Sequence, residues 1–464
     1  MKQTSLVKRT VYRLAALAFS ALCLSPCLHA QSGAWTLENC IQYAIDNNIT
    51  IKQIKLQRES AAIDLNTSQM SRLPDLNAGV GQNWRFGRGE IKSGLKENTT
   101  QSNTSFSVNT SIPLFTGFRI KNEIEKNRLE LKAATENLEK AKEDLALNIA
   151  SLFLQVLFNK ELVKVNEEQL TLSRAQVEKT KSLVQVGKVP LSQLYDIEAQ
   201  VAKDEVSLIQ ANNNRALALL DLAQSLELES AGAFDIYTPE MEAVVAEYAD
   251  NIQSPRVVFN NAVHAKPVIR EQQYRIESAE KLLNMAKSGY SPSLQLNLGY
   301  GTDYFYDYDI KKKANLMGEA YSNPSFSRQF RDNSGEFISL NLNIPLFNRF
   351  SVKNQVRNAR INVGNQQLIL ENARKTLYKE IQAAYLNATA AREKYRASGK
   401  SVTASAESFK YARERYETGK SSVFEFNEAK TKLIQSQSEQ IQAKYDYIFR
   451  MKILDFYNGN PIKL

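Results

Sequence analysis

Histidine is almost missing from this sequence. There are two, His29 and His264, and only three cysteines, Cys23, Cys27 and Cys40. That scarcity excludes much chemistry: once a leading segment through Ala30 is removed, His264 and Cys40 are left, far apart in sequence, and give no metal-ligand cluster and no nucleophile pair. No convergent acid/base set or phosphate loop stands out either, so neither an enzyme nor a cofactor is expected. Long apolar runs are missing too. Leu14 to Leu24 is eleven residues, too few against the roughly 20 of a membrane-spanning helix. Acids are absent before residue 30, where Lys2, Lys8, Arg9 and Arg13 carry four of the net nine positive charges. A basic start, a short apolar run and Leu28-His29-Ala30 read as a signal peptide over residues 1–30. Lipidation at Cys27 is the competing reading, since Leu24-Ser25-Pro26-Cys27 resembles a lipobox except at Pro26. With cleavage after Ala30, Cys40 is the one thiol left, and a packing role in a helix suits it. The net charge then left is +5. It is spread thinly with no basic stripe among aromatics, so nucleic acid is not an expected partner.

Proline and glycine are absent from Phe118 to Val186. Leu131, Leu138, Leu145 and Leu152 lie seven apart there, the seam of a coiled coil. One helix of this length spans about 100 Å at roughly 1.5 Å per residue. Gly187 to Pro190 breaks it, and a second helix runs from Ser192 to about Leu228. The same plan recurs. Val363, Leu370, Leu377 and Ala384 repeat the seam, Gly419 repeats the break, and a last helix runs from about Val423 to Tyr457. Pro113 to Pro345 and Gly187 to Gly419 are both offsets of 232, while Pro74 to Pro292 is 218. The spacing predicts a duplicated unit, residues 31–230 and 231–464, each laying down a helix, two strands and a long helical hairpin. The opening helices are expected over Trp35–Ser71 and Val257–Ser288.

Four strands are expected, at about 76–86, 104–114, 294–302 and 337–346. Leu76, Ala78, Val80, Trp84 and Phe86 alternate with Asn77, Gly79, Gly81, Asn83 and Arg85, and Leu294, Leu296, Leu298 and Tyr300 alternate with Gln295, Asn297, Gly299 and Gly301. Period two gives one apolar and one polar face. Loops are expected at Gly87–Asn103 and Tyr304–Gly335. Strands of this length and pattern suit a transmembrane barrel, with lipid outside and water inside. Four cannot close one, so other copies of the chain must complete it. Trp84, Phe86, Tyr300, Tyr304 and Phe305 suggest an aromatic belt. Pro74, Pro113, Pro292 and Pro345 sit at the other strand ends, where they would turn strands into helices.

These features in this order resemble the TolC family of outer-membrane factors, over about residues 35 to 458. The matching stretches are Thr36-Leu37 through Asn47-Asn48, the two Ile-Pro-Leu-Phe transitions at Ile112–Phe115 and Ile344–Phe347, Lys266-Pro267, and the breaks at Gly187 and Gly419. The resemblance implies a mainly α fold with a membrane β-barrel portion: a homotrimer whose twelve-stranded barrel, set in outer-membrane lipid, continues into a periplasmic α-helical barrel. It implies an export duct of a tripartite efflux pump, in the outer membrane of a Gram-negative bacterium. The implied partners are a periplasmic adaptor and an inner-membrane transporter of RND or ABC type. A type I protein-secretion duct and a non-conducting coiled-coil tether are the alternatives. The resemblance also implies a periplasmic constriction at Glu425 and Glu428, three apart on one helix face, and a gate latch at Tyr416. Where the family member compared has a latch arginine, this chain has Ser421.

Overall fold

The fold is given by a computed structural model, described for residues 35–92, 95–229, 234–239, 241–247, 252–311, 314 and 322–463. The signal-peptide reading, Cys27 included, lies outside the described residues. The first half runs α1 (Leu37–Asn47), α2 (Ile49–Met70), β1 (Asn77–Lys92), β2 (Leu95–Phe115), α3 (Arg119–Gln185) and α4 (Leu191–Ser225). Short α5 (Met241–Glu247) follows. The second half runs α6 (Pro255–Ala265), α7 (Pro267–Ser288), β3 (Ser293–Asp307), α8 (Phe326–Asp332), β4 (Gly335–Asn343), α9 (Ser351–Glu417) and α10 (Val423–Tyr457). Helices of 11, 22, 67 and 35 residues occur in that order in each half.

Each expected opening helix is two helices. Asn48 ends α1 and caps α2, its side chain accepting from the Thr50 and Ile51 N–H groups. Lys266-Pro267 makes the equivalent break, because proline starts a helix well but cannot continue one. The expected loop Gly87–Asn103 is strand over nearly all its described length, pairing from Gly87↔Thr99 to Lys92↔Leu95. Its Thr, Ser, Gly and Asn residues alternate no apolar side chains, so nothing in the hydrophobic pattern marks it as strand. β4 ends at Asn343, short of the expected 346, which leaves Pro345 outside the sheet.

The four strands form one antiparallel sheet in the order β1-β2-β3-β4, with β1 and β4 at its edges. The main core lies at the waist of the helical part. There α1 packs against α3, α4 and α10 through Leu37, Cys40, Phe153, Leu157, Leu222 and Ile448, all at most 2% exposed. Cys40 is a buried free thiol whose pKa burial pushes up to about 12, consistent with inert packing. At the waist the short helices stack end to end with the hairpins. The Glu227 carboxylate, just past α4, accepts from the Ile49 N–H that starts α2, at 3.2 Å. Lys266, at the start of α7, lies 3.2 Å over the ring of Phe456 at the end of α10. Of the heptad positions, Leu138, Leu377 and Ala384 are buried, and Leu131, Leu145, Leu152, Val363 and Leu370 are half-buried.

Candidate functional site

Register assigns every strand residue to a face. Val80 sits opposite Phe106 and Phe106 opposite Thr302, while Leu296 lies opposite both Ile112 and Leu340. One face thus carries Val80, Ile112, Leu296, Leu298, Ile338, Leu340 and Leu342, the other Asn83, Ser105, Ser107, Asn109, Asn297 and Asn341. The apolar side chains are not hidden beneath the helices: Val80 is 71% exposed, Ile338 79% and Leu340 61%. Apart from Phe106 and Tyr304, on which Phe326 and Phe330 of α8 pack, this apolar face has no described residues over it and is the surface that hydrocarbon would cover. Trp84, Phe86, Tyr300 and Tyr304 share this face, but Phe305 pairs with Asn103 and points to the polar side. Tyr306, opposite Ser102, is the aromatic that the outer face carries there instead.

The expected prolines mark two of the four junctions between helix and strand but do not make the turns at the other two. Pro74 and Pro292 do stand between helix and strand. Pro113, however, lies inside β2 at a bulge, opposite Gln295. The chain passes into the helix four residues beyond each of the other two prolines, at Gly117-Phe118 and Arg349-Phe350, all four with φ between 54° and 65°. These pairs are again 232 apart. Consecutive left-handed residues bend the chain more sharply than proline does, and only a glycine gives a hint of that in sequence.

At the opposite end of the helices, α3 and α9 stop in the same way. Gly187 and Gly419 adopt φ of 70° and 72°, and the N–H groups of Lys188 and Lys420 reach back to the Leu183 and Arg415 carbonyls. This is a glycine C-cap with a 6→1 bond. Glu425 and Glu428 are both exposed. Ser421 donates to Glu425 at 2.5 Å, and Arg415 lies 3.7 Å from the same carboxylate. Glu428 lines a groove of about 640 Å³ between α4 and α10, together with Asp196, Lys203, Phe424 and Lys432. Tyr416 packs its ring on Phe426, 5.1 Å between centroids, and its buried hydroxyl has no hydrogen-bond partner among the described residues.

One cluster escaped the sequence reading. Lys430 of α10 donates to Asp204 of α4 at 2.9 Å and to Ser173 of α3. The Lys430 and Asp204 side chains are 3% and 8% exposed. Burial lowers the Lys430 pKa, and Asp204 opposes that shift. The available signal was periodicity, for Lys430 continues the buried stripe Val423, Phe426. Its partner, more than two hundred residues away, had no signal.

An uncovered apolar sheet face with a polar reverse, joined to two long helical hairpins, is the wall of a membrane channel. The sequence profile of the outer membrane efflux protein family matches residues 40–227 and 258–455, one stretch in each half. The chain belongs to this outer-membrane family, a family of channels rather than of enzymes. It is 20% identical over 420 residues to outer membrane protein TolC of Escherichia coli K12, covering 90% of this chain and 80% of that one. Among solved structures, CusC superposes with a TM-score of 0.75 at 17% identity, covering 92% of both chains. The CmeC outer membrane channel of Campylobacter jejuni gives 0.73 at 17%, covering 92% of this chain and 86% of that one. The fold is thus the helical and β-barrel fold of outer-membrane efflux channels, which supports the duct over the tether.

Proposed function

We propose that three copies of this chain join β4 to β1 and close a twelve-stranded barrel around a passive export duct. The carrying observation is the sheet itself: edges at β1 and β4 that no described strand pairs, and an apolar face left exposed at Val80, Ile338, Leu340 and Leu342, with α8 covering only its part around Phe106 and Tyr304. Helices of 67 residues carry the duct about 100 Å from the sheet at roughly 1.5 Å per residue. The glycine-capped tips then lie deep in the periplasm, and the strand ends beyond Lys92 and Asp307 face outward. At the tips Val186, Leu191, Tyr195 and Phe424 are each more than half exposed. With the groove beside them, they supply an apolar docking surface for a periplasmic adaptor. The adaptor links the duct to an inner-membrane transporter of RND or ABC type, which supplies the energy.

Glu425 and Glu428 form the constriction in this reading. Three copies bring six carboxylates near one axis, and like charges that close attract cations. Conductance in planar bilayers should be cation-selective and blocked by multivalent cations added on the helical side. The Glu425→Gln/Glu428→Gln double variant should lose both properties and still assemble. Unchanged block and selectivity would move the constriction elsewhere. Tyr416 is the latch residue of this reading, its hydroxyl available to a group beyond its own chain.

A further inference from the structure

The offset between the halves grows from 218 before the strands to 232 after them, so the second half holds fourteen extra residues between Pro292 and Pro345. The helices are of equal length, which confines the insertion to the strand region. It lies in the connection that carries α8. β4 stops pairing at Gly335↔Gly301, whereas β3 goes on pairing with β2 as far as Asp307↔Gln101. Past Gly301, then, β3 has an edge with no strand beside it.

Side chains occupy that edge. Gln329 accepts from the Phe305 N–H at 2.9 Å and donates to the Phe305 carbonyl at 2.8 Å. Asn323 accepts from the Asp307 N–H at 3.0 Å and donates to the Asp307 carbonyl at 2.8 Å. Asn333 donates to the Asp303 carbonyl at 2.6 Å. Residues 303, 305 and 307 are alternate positions, whose backbone groups point the same way across the sheet. A primary amide offers a donor and an acceptor as a peptide group does. Three amides thus reproduce the ladder of an adjoining strand. Phe326 and Phe330 fix α8 from the apolar side of the sheet, against Phe106 and Tyr304.

We infer that α8 and these amides replace the absent outer part of β4 in the barrel wall, and that the exposed side of α8 is a contact surface for β1 of a second copy. The inference rests on the three-copy reading above. β1 has 16 residues and β4 has 9, so a neighbouring β1 paired along β4 runs past its end by several residues, each about 3.3 Å long. The lower end of β1 is tied down, because Asp75 accepts from the Ser111 N–H at 2.6 Å. The surplus therefore lies outward, at the level of α8. The copy-to-copy strand seam is short, and α8 seals the gap above it. Any further strand is excluded, since the backbone groups it would need are already bonded.

Cysteine cross-linking in assembled protein tests this. Ser327→Cys on α8 would be combined in turn with Phe86→Cys, Gly87→Cys and Arg88→Cys on β1, and treated with a short bifunctional thiol reagent. Covalent dimers and trimers should appear for at least one pair and for none of the single variants. Ser339→Cys with β1 cysteines at Gly79, Gly81 or Asn83 reports the strand seam separately. In a species of three-chain mass, silence of every α8 pair overturns the inference, whatever the seam pairs show. A one-chain mass overturns the three-copy reading instead. Independently, Gln329→Ala/Asn323→Ala should speed exchange of the Phe305 and Asp307 amides at least tenfold. Unchanged exchange would mean that the amides do not close the edge.

Discussion

The two halves of the chain agree wherever helices pack and differ wherever strands and charges meet. Helix lengths match to the residue, yet the two strand pairs differ by the fourteen-residue insertion. Helices that run side by side for tens of residues must keep one register, and a single inserted residue would rotate every later side chain by about 100°. A strand connection beyond the membrane has no such constraint. The halves also differ in charge at equivalent buried places. Ser173 and Asp204 of the first half correspond to Ser405 and Ser436 of the second, which share a neutral hydrogen bond at 3.0 Å. Glu198, the counterpart of Lys430, is exposed. Duplication thus built a symmetric scaffold, and the buried ion pair of Asp204 with Lys430 is one place where the two hairpins depart from that symmetry.

Breaking that asymmetry should have the largest effect. Asp204→Ser gives the first half the residue of the second and leaves Lys430 buried without its carboxylate. The expected cost is about 3–5 kcal/mol, the usual penalty for an orphaned buried charge. Asp204→Ser with Lys430→Met should recover most of it, read as the denaturation midpoint of the refolded protein. Equal losses in the single and double variants would show that the pair is not coupled.

The sheet supplies the next contrast. Leu296→Arg or Leu342→Arg places a charge on the apolar face, and should cost about 2–4 kcal/mol near the bilayer midplane. Asn297→Arg or Asn341→Arg, on the other face, should assemble in nearly normal yield. Similar yields for both classes would reverse the assignment of faces.

The waist junctions differ as well. Asn48 caps its junction, whereas Lys266, the residue 218 further on, is buried against Glu143 at 3.2 Å. Burial raises the Glu143 pKa, and Lys266 offsets only part of that. The folded chain therefore binds this proton more readily than the unfolded chain does. The resulting stability is fully present below the unfolded value of 4.5, and is lost as pH rises through the folded value. Lys266→Asn removes the offset, so the loss should extend to higher pH. Thermal midpoints measured from about pH 4 to about pH 8 check it, and a pH profile unchanged from wild type would refute it.

The smallest effects belong to the strand-to-helix turns. Gly117→Ala forces a left-handed alanine, at about 1–2 kcal/mol, and sets its Cβ 2.6 Å from that of Ser291. Arg349→Gly, which copies the first half into the second, should change stability by less than about 1 kcal/mol. A large change there would mean that the Arg349 side chain matters.

Much of the fold was legible before any coordinates. The heptad leucines, the paired glycine breaks and the alternating Leu294–Tyr300 and Ile338–Leu342 stretches depend on local periodicity, which sequence records directly. The outer ends of β1 and β2 were not legible, because their Thr, Ser and Gly residues are held by ladder bonds rather than by an apolar face. Phe305 was misplaced for a related reason: being aromatic does not decide a face, but its register opposite Asn103 does. The turns at Gly117-Phe118 and Arg349-Phe350 depend on backbone angles, and only one of the four residues is a glycine. The tip is the least legible part. Glu425 and Glu428 are three apart on α10, which spacing alone records, but the groove that joins Glu428 to Asp196 depends on α4 and α10 meeting. So does the contact of Lys430 with Asp204.

The central claim is that the open sheet becomes a conducting barrel only when three chains share it. Native mass and single-channel recording on one purified, lipid-reconstituted sample test that claim most directly. The account predicts a single species of three-chain mass with steady, cation-selective conductance that multivalent cations block from the helical side. A one-chain species, or a three-chain species that never conducts even after Glu425→Gln/Glu428→Gln, would contradict it.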